Sequence, residues 1–441
     1  MYTSVIGQRF LDIYNKERKK KLSAQEYFER EYFPLFYDHS QYLQSPANTP
    51  LFQVIAQKKT KDSKARQKAF SEIAGKINSF SNTKGNAPDM SFALGFASAD
   101  LLGTTSGQVT SLELPFEADD MYASWIGAGF GIGVAGGLNI LLDNQEVLET
   151  IQQGWKLYRE YVDENKGIDN KVETWNGIWL THRYSDNFKK TSQKANFHPI
   201  GIGKDGKAQM ERPSWTNVIF TLAKIFPKQT LNAYVYSFGQ MNRTIGFIRF
   251  VLPEVSKISE LYNSLFGKSK LLSNKELAQI YESEYGLSAV CERFSMIGLR
   301  SLEPKDLRKY MPGKTGSNEL PKFKEDEKNK INYSIYITWV IAMLNNKELL
   351  DLAGKAAHAF REYEKGGKKG LVKRDNEIKG LLSSRNRKEL IDKLSGLVEE
   401  EPKMSEVCNA LVNSLMMDIA ADNVPLFVTL MRFKYALPNE N

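Results

Sequence analysis

MYASWIGAGFGIGVAGGLNILL, residues 121–142, is the most apolar and most glycine-dense stretch of the chain, and the rest is read outward from it. Gly127, Gly129, Gly131 and Gly133 alternate with Ala128, Phe130, Ile132 and Val134. A period of two is the strand period, with one bare face and one apolar face. A helix would lose about 0.8 to 1 kcal/mol per glycine against alanine, so the spacing predicts a strand. Ala135, Gly136 and Gly137 then supply a turn, and Leu138 to Leu142 returns as a second strand. A membrane span would need about 20 apolar residues in a helix, and the period here is wrong for one. Gly131, Gly133 and Gly136 fit the dinucleotide pattern G-x-G-x-x-G, but that motif must open a helix and LNILL reads as strand. The expectation is a central hairpin whose glycine face lets another backbone approach closely, either the protein's own or a nucleic acid's.

Beyond the hairpin, Asn144 to Tyr161 carries Val147, Leu148, Ile151, Trp155, Leu157 and Tyr158 near helical spacing, behind Asp143 or Asn144 as cap. TWNGIWLTHRY (174–184) reads as a strand with Trp175 and Trp179 on one face. Towards the N-terminus, Ser4 to Lys20 is an opening helix, and Ser23 with Glu26 forms a capping box for a second helix that Pro34 ends or bends. Ser214 caps WTNVIFTLAKIF. Leu231 to Leu252 alternates as a hairpin: Tyr234, Tyr236 and Phe238 share one face, and after a turn at Gly239 to Asn242 so do Ile245, Phe247 and Arg249.

From Ser256 the pattern turns helical through SKISELYNSLFG, SNKELAQIYESEYG, LSAVCERFSMIGL and, after Pro304, KDLRKYM. Residues 312–330 have the Gly, Pro, Ser and mixed charge of a linker. Beyond them INYSIYITWVIAML is apolar nearly all round and therefore buried, and amphipathic segments follow at short intervals. The fold class expected is α+β, a mixed α/β N-terminal body with antiparallel hairpins over 1–311 and a C-terminal all-α helical bundle over 331–441.

The 60 Lys and Arg against 52 Asp and Glu leave a formal charge of +8, which suits a polyanionic partner without demanding one. Among the rings, 24 Phe, 20 Tyr and 6 Trp are enough for base stacking beside arginine, or simply for a tyrosine-rich core. Cys291 and Cys408 are the only cysteines, too few for a disulfide framework or a cysteine zinc site, which points to a reducing interior. MYTSVIGQRFLDIYNKERKKK places its basic cluster after its apolar residues, unlike a signal peptide, so a cytoplasmic protein with no membrane partner is expected.

Candidate nucleic-acid contacts follow from cations and small polar side chains on loops or helix faces. They are Lys58, Lys59, Lys61, Lys64 and Arg66 in QKKTKDSKARQK, and Thr104, Thr105, Ser106 and Gln108 in GTTSGQVT. Lys189, Lys190, Lys204 and Lys207 lie in the basic stretch 188–207, and Lys368, Lys369, Arg385 and Arg387 in the C-terminal part. Each of the patches at 57–68, 365–374 and 385–388 reads more readily as a solvated face than as a phosphate contact. GIGKDGKA (201–208) nearly spells a P-loop, but Ala208 stands where the magnesium-binding hydroxyl belongs, so a hairpin turn around Asp205-Gly206 is expected. RTIGFIRF (243–250) partly follows the RNA-recognition signature, matching at Arg243, Gly246, Phe247, Ile248 and Phe250. Arg243, Phe247 and Arg249 are therefore binding candidates on an aromatic, arginine-bearing sheet, with core packing as the competing reading.

No catalytic signature stands out. His39, His182, His198 and His358 form no H-E-x-x-H or H-x-H, and G-x-S-x-G is absent. Asp119 and Asp120 with Glu113 could collect a magnesium ion, but adjacent aspartates on a strand point to opposite faces. No metal, no cofactor and no enzymatic activity are expected. A metal-dependent nucleic-acid-processing enzyme and a helical scaffold without nucleic-acid contact remain as alternatives.

The layout resembles the large subunit of type I CRISPR surveillance complexes. LLGTTSGQVT, the glycine hairpin, TWNGIWLTHRY and NAYVYSFGQMNRTIGFIRF are similar to CRISPR-associated proteins. The resemblance implies a subunit that grips the 5′ end of a guide RNA, probes duplex DNA for a protospacer-adjacent motif, and works with other CRISPR effector subunits. It assigns no role to individual residues.

Overall fold

The computed structural model describes residues 2–39, 62–80, 117–165, 168, 171–203, 206, 208–237, 243–266, 277–278, 280–313, 320–322, 326–366 and 371–437. An α+β fold is observed, with a small sheet in the N-terminal half and a helical C-terminal region. Two compact units divide it. The first comprises residues 1–225, 230–250 and 287–296, and the second comprises 226–229, 251–286 and 297–441. The stretch 312–330, expected as the linker, therefore lies within the second unit. Residues 314–319 and 323–325 of it lie outside the described residues, and 327–330 already belong to a helix, Glu327–Leu344.

The first unit begins with α1 (Tyr2–Arg18), then α2 (Ala24–Tyr27), a π-helical turn (Phe28–Tyr32), α3 (Phe33–Phe36) and α4 (Ser63–Phe80). Ser23 and Glu26 form the expected capping box at α2. Pro34 does not end this helix. The π turn precedes it and the chain continues as α3, so the helix is irregular where a proline N–H is missing.

The glycine stretch corrects the strand expectation in its first half. Ala118–Ala128 is a helix, α5, and only Ile132–Val134 (β1) and Leu138–Leu142 (β2) are strands. The turn is as expected, with Gly136 at φ 92 and Gly137 at φ 79. α5 tolerates Gly127 because α1 crosses it at backbone contact. A Cβ on Gly127 would fall 1.8 Å from the Thr3 carbonyl oxygen, and one on Gly7 would fall 1.9 Å from that of Ala123. The Thr3 and Ser124 hydroxyls hydrogen-bond across this crossing at 3.0 Å. Close helix packing thus outweighs glycine's helical penalty of about 1 kcal/mol.

After β2 comes α6 (Gln145–Glu164), capped by Asn144, whose Oδ1 accepts from the Val147 N–H at 3.1 Å. TWNGIWLTHRY is not a strand: it lies mostly within α7 (Val172–Arg183). Residues four apart share a face at a period of 2 and at 3.6 alike, so Trp175 and Trp179 could not discriminate. Both indoles are fully buried and donate to carbonyls of α6, Trp175 to Gly154 at 3.0 Å and Trp179 to Thr150 at 2.8 Å. The hairpin expected from GIGKDGKA is β3 (Ile200–Ile202) paired antiparallel with β4 (Ala208–Met210). α8 (Trp215–Ile225) is capped by Ser214, and β5 (Thr230–Ser237) and β6 (Arg243–Val251) follow.

Next come α9 (Leu252–Phe266), which belongs to the second unit, then α10 (Leu287–Phe294) and β7 (Met296–Ile297). Met296 and Ile297, expected in a helix, are instead a strand, and KDLRKYM forms only a 3-10 turn at Leu307–Tyr310. The main sheet runs β1-β2-β5-β6-β7. β1 pairs antiparallel with β2 and β2 with β5, in register Ile132↔Ile140, Asn139↔Tyr236 and Leu141↔Tyr234.

In the second unit α9 packs on α11 (Glu327–Leu344), and α12 (Glu348–Lys365), α13 (Leu371–Leu381), α14 (Arg387–Glu400), α15 (Ser405–Met417) and α16 (Val424–Ala436) complete a bundle. α11 is apolar on all sides and mostly buried, as its composition requires. Its ends are set by Asp326, which accepts from the Asn329 N–H at 2.9 Å, and by Asn345 in the left-handed region at φ 58.

Candidate nucleic-acid interface

The two faces of the sheet differ, and the register shows how. Ile132, Val134, Leu138, Ile140, Leu142, Ala233 and Val235 share one face, and all are buried. The opposite face carries Gly133, Asn139, Leu141, Tyr234 and Tyr236. At the β1 end α7 covers this face directly. A Cβ on Gly133 would lie 2.8 Å from the Glu173 carbonyl oxygen, so the backbone that approaches the bare strand face is the protein's own.

Polar groups fill the space under that helix. Arg212 donates to Thr174 Oγ1 at 3.2 Å, the Leu138 carbonyl at 3.2 Å and Asn139 Oδ1 at 3.3 Å. Asn176 donates to the Gly129 and Gly131 carbonyls at 2.7 and 2.8 Å and accepts from Trp155 Nε1 at 3.2 Å. The Tyr236 hydroxyl is pushed well above its ordinary value, first by burial and then by the Glu173 charge. This part of the face is closed to any macromolecule.

Cover thins towards β6. Tyr234 stacks on Tyr236 at 5.6 Å between ring centroids, and Tyr2, at the start of α1, lies 5.2 Å from Tyr234. Phe247 meets Tyr2 edge to face at 4.9 Å and Tyr234 at 5.3 Å, yet remains 64% exposed. Ile248 and Phe250 on the same strand are buried, so alternation along β6 turns Phe247 and Arg249 outward. Arg249 is exposed and takes part in no ion pair among the described residues. Burial and the neighbouring Asp143 raise the Tyr2 hydroxyl, which therefore stays protonated, and Arg9 lies 3.6 Å from the Asp143 carboxylate. The result is an open ledge of three rings, with Arg249 exposed two residues beyond Phe247 on the same strand.

The other expected contacts are scattered. Lys64 is exposed on α4, and Lys189 and Lys190 are exposed in the turns after α7. Arg66 is buried, with Nε 2.9 Å from Asp38, which also accepts from Ser63 at 2.6 Å. Arg387 donates to the Ile419 carbonyl at 2.6 Å, and Arg385 is exposed with its stem against Gly313. Arg66 and Arg387 thus serve the fold. Lys58, Lys59, Lys61, Thr104, Thr105, Ser106, Gln108, Lys204, Lys207, Lys368 and Lys369 lie outside the described residues, as do Glu113 and the Arg243 side chain.

Asp119 and Asp120 sit in the first turn of α5, not on a strand. Asp119 accepts from the Ala24 and Gln25 N–H groups at 3.1 and 2.9 Å, capping α2 from across the unit, and burial raises Asp120 from its ordinary value. Among the described residues, no three His, Cys, Asp or Glu gather in a way that could hold a metal ion. No described helix is long and apolar enough to cross a membrane. Tyr2 is the ring that sequence reasoning missed, because nothing local to it signals its place beside β6. Compared with protein-family models, curated proteins and solved structures, the chain gives no significant match.

Proposed function

We propose that the chain is a non-catalytic nucleic-acid-binding subunit of a CRISPR RNA-guided DNA surveillance complex. In this reading it contacts the 5′ end of the guide RNA, recognises the protospacer-adjacent motif in duplex DNA, and works in the cytoplasm beside other effector subunits. The sequence resemblance supports the assembly. The observation that carries nucleic-acid binding is the ledge of Tyr2, Tyr234 and Phe247 with Arg249 exposed beside it, on a chain of formal charge +8.

An aromatic ring left 64% exposed gains little for folding, whereas rings beside a guanidinium bind bases and phosphates together. Lysines such as Lys64, Lys189 and Lys190 would supply the sequence-independent phosphate term. The test is replacement of Phe247 and Arg249 by alanine, with guide-RNA affinity and melting temperature measured on the same preparations. The reading expects a clear loss of affinity and an almost unchanged melting temperature. The opposite order would make the ledge part of the core and refute it.

A further inference from the structure

We propose that the ledge formed by Tyr2, Tyr234 and Phe247 receives an unpaired base of a single strand, so that this face discriminates against intact duplex. The proposal rests on the nucleic-acid reading above and names the ligand of that site. Phe247 is supported by Tyr2 at 4.9 Å and Tyr234 at 5.3 Å, and is exposed over most of its surface. A supported ring that stands out of a sheet offers a flat apolar surface, and its natural complement is the flat face of a base. In a duplex those faces are stacked against neighbouring pairs, and only edges and phosphates are accessible. A duplex could meet Arg249 but could not stack on Phe247.

Spacing and charge agree with this. Arg249 follows Phe247 by two residues on the same strand face, about 6.6 Å along β6. A base stacked on the ring therefore keeps its own backbone near the guanidinium. Asp143, the carboxylate beside Tyr2, lies 3.6 Å from Arg9, whose charge offsets it there. Stacking on an aromatic ring is tolerant of base identity.

The test uses the full chain and fluorescence anisotropy with three probes of equal length: oligouridine, oligothymidine and a blunt mixed-sequence DNA duplex. Phe247→Ala is expected to weaken the single strands by roughly 5- to 150-fold, the range of one lost base-stacking contact, and to leave duplex affinity unchanged. Phe247→Trp is expected to restore single-strand binding, and an unchanged melting temperature for both variants shows that folding is not what moved. Tighter binding of oligouridine than oligothymidine would identify the strand as RNA, and the reverse as DNA. Equal losses on single strands and duplex, or no loss at all, would overturn the proposal while leaving nucleic-acid binding in place. Failure of the unaltered chain to bind any probe would overturn both.

Discussion

Gly127→Ala adds one methyl group where two backbones touch. The added carbon would lie 1.8 Å from the Thr3 carbonyl oxygen and 2.8 Å from the Gly7 nitrogen. Since unstrained contacts begin near 3.4 Å, α1 and α5 would have to part by about 1.6 Å, and no side chain can rotate away to relieve it. Overpacking of a core costs about 1 to 3 kcal/mol and occasionally more, while alanine in place of a helical glycine gains about 0.8 to 1 kcal/mol. The clash is backbone on backbone, so the upper end applies and the net loss should be about 2 kcal/mol or more. Gly75→Ala on α4 is the control, because a Cβ there meets nothing within 4 Å; it should be neutral or stabilising by up to about 1 kcal/mol. Urea unfolding at constant slope reads both values. If Gly127→Ala proves no less stable than Gly75→Ala, the crossing described for α1 and α5 is wrong.

Asp119→Ala removes the acceptor of two α2 N–H groups and should lower stability by about 0.5 to 2 kcal/mol by chemical unfolding, with no dependence on added magnesium; a magnesium-dependent stabilisation of the unaltered chain that the variant loses would instead favour a metal role. Asp38 is held below its ordinary carboxyl value: burial pushes it up, but hydrogen bonds from Ser63 and Arg66 and the Arg66 charge outweigh that. A depressed folded value means the stabilisation is complete above the unfolded value of about 3.9 and is lost as pH falls through the folded one. Asp38→Asn should therefore remove part of the acid-side fall in stability below about pH 4 and lower stability near neutrality, both measurable as urea midpoints across pH. Trp175→Ala empties a fully buried site between α6 and α7 and should cost about 3 to 5 kcal/mol, whereas Phe247→Ala should change stability by no more than about 0.5 kcal/mol.

What was legible in the sequence was local. The Ser23–Glu26 capping box, the Asn144 cap, the Gly136–Gly137 turn and the alternation through β5 and β6 each depend on residues within a few positions of one another. α5 was misread because Gly127 looks like a strand residue until α1, far away in sequence, is seen against it. α7 was misread because Trp175 and Trp179 satisfy both periods, and only the burial of the residues between them separates helix from strand. Charge patches were the least informative signal. Nothing near Arg66 or Arg387 in the sequence shows that Asp38 and the Ile419 carbonyl engage them, whereas Lys189 and Lys190 look the same on paper and are exposed. Most of the aromatic content serves the core, where Trp125, Trp155, Trp175 and Trp179 are fully buried, so the rings near the β6 end of the sheet stand out only once the fold is known.

The proposed holding of polyphosphate chains by the ring-bearing ledge and Arg249 meets its most direct test in a guide-RNA titration of the full chain across a series of salt concentrations. The expected result is tight binding at low salt, with the logarithm of the affinity falling linearly against the logarithm of salt at a slope set by the phosphates contacted. No binding at low salt, or an affinity indifferent to salt, would contradict the claim.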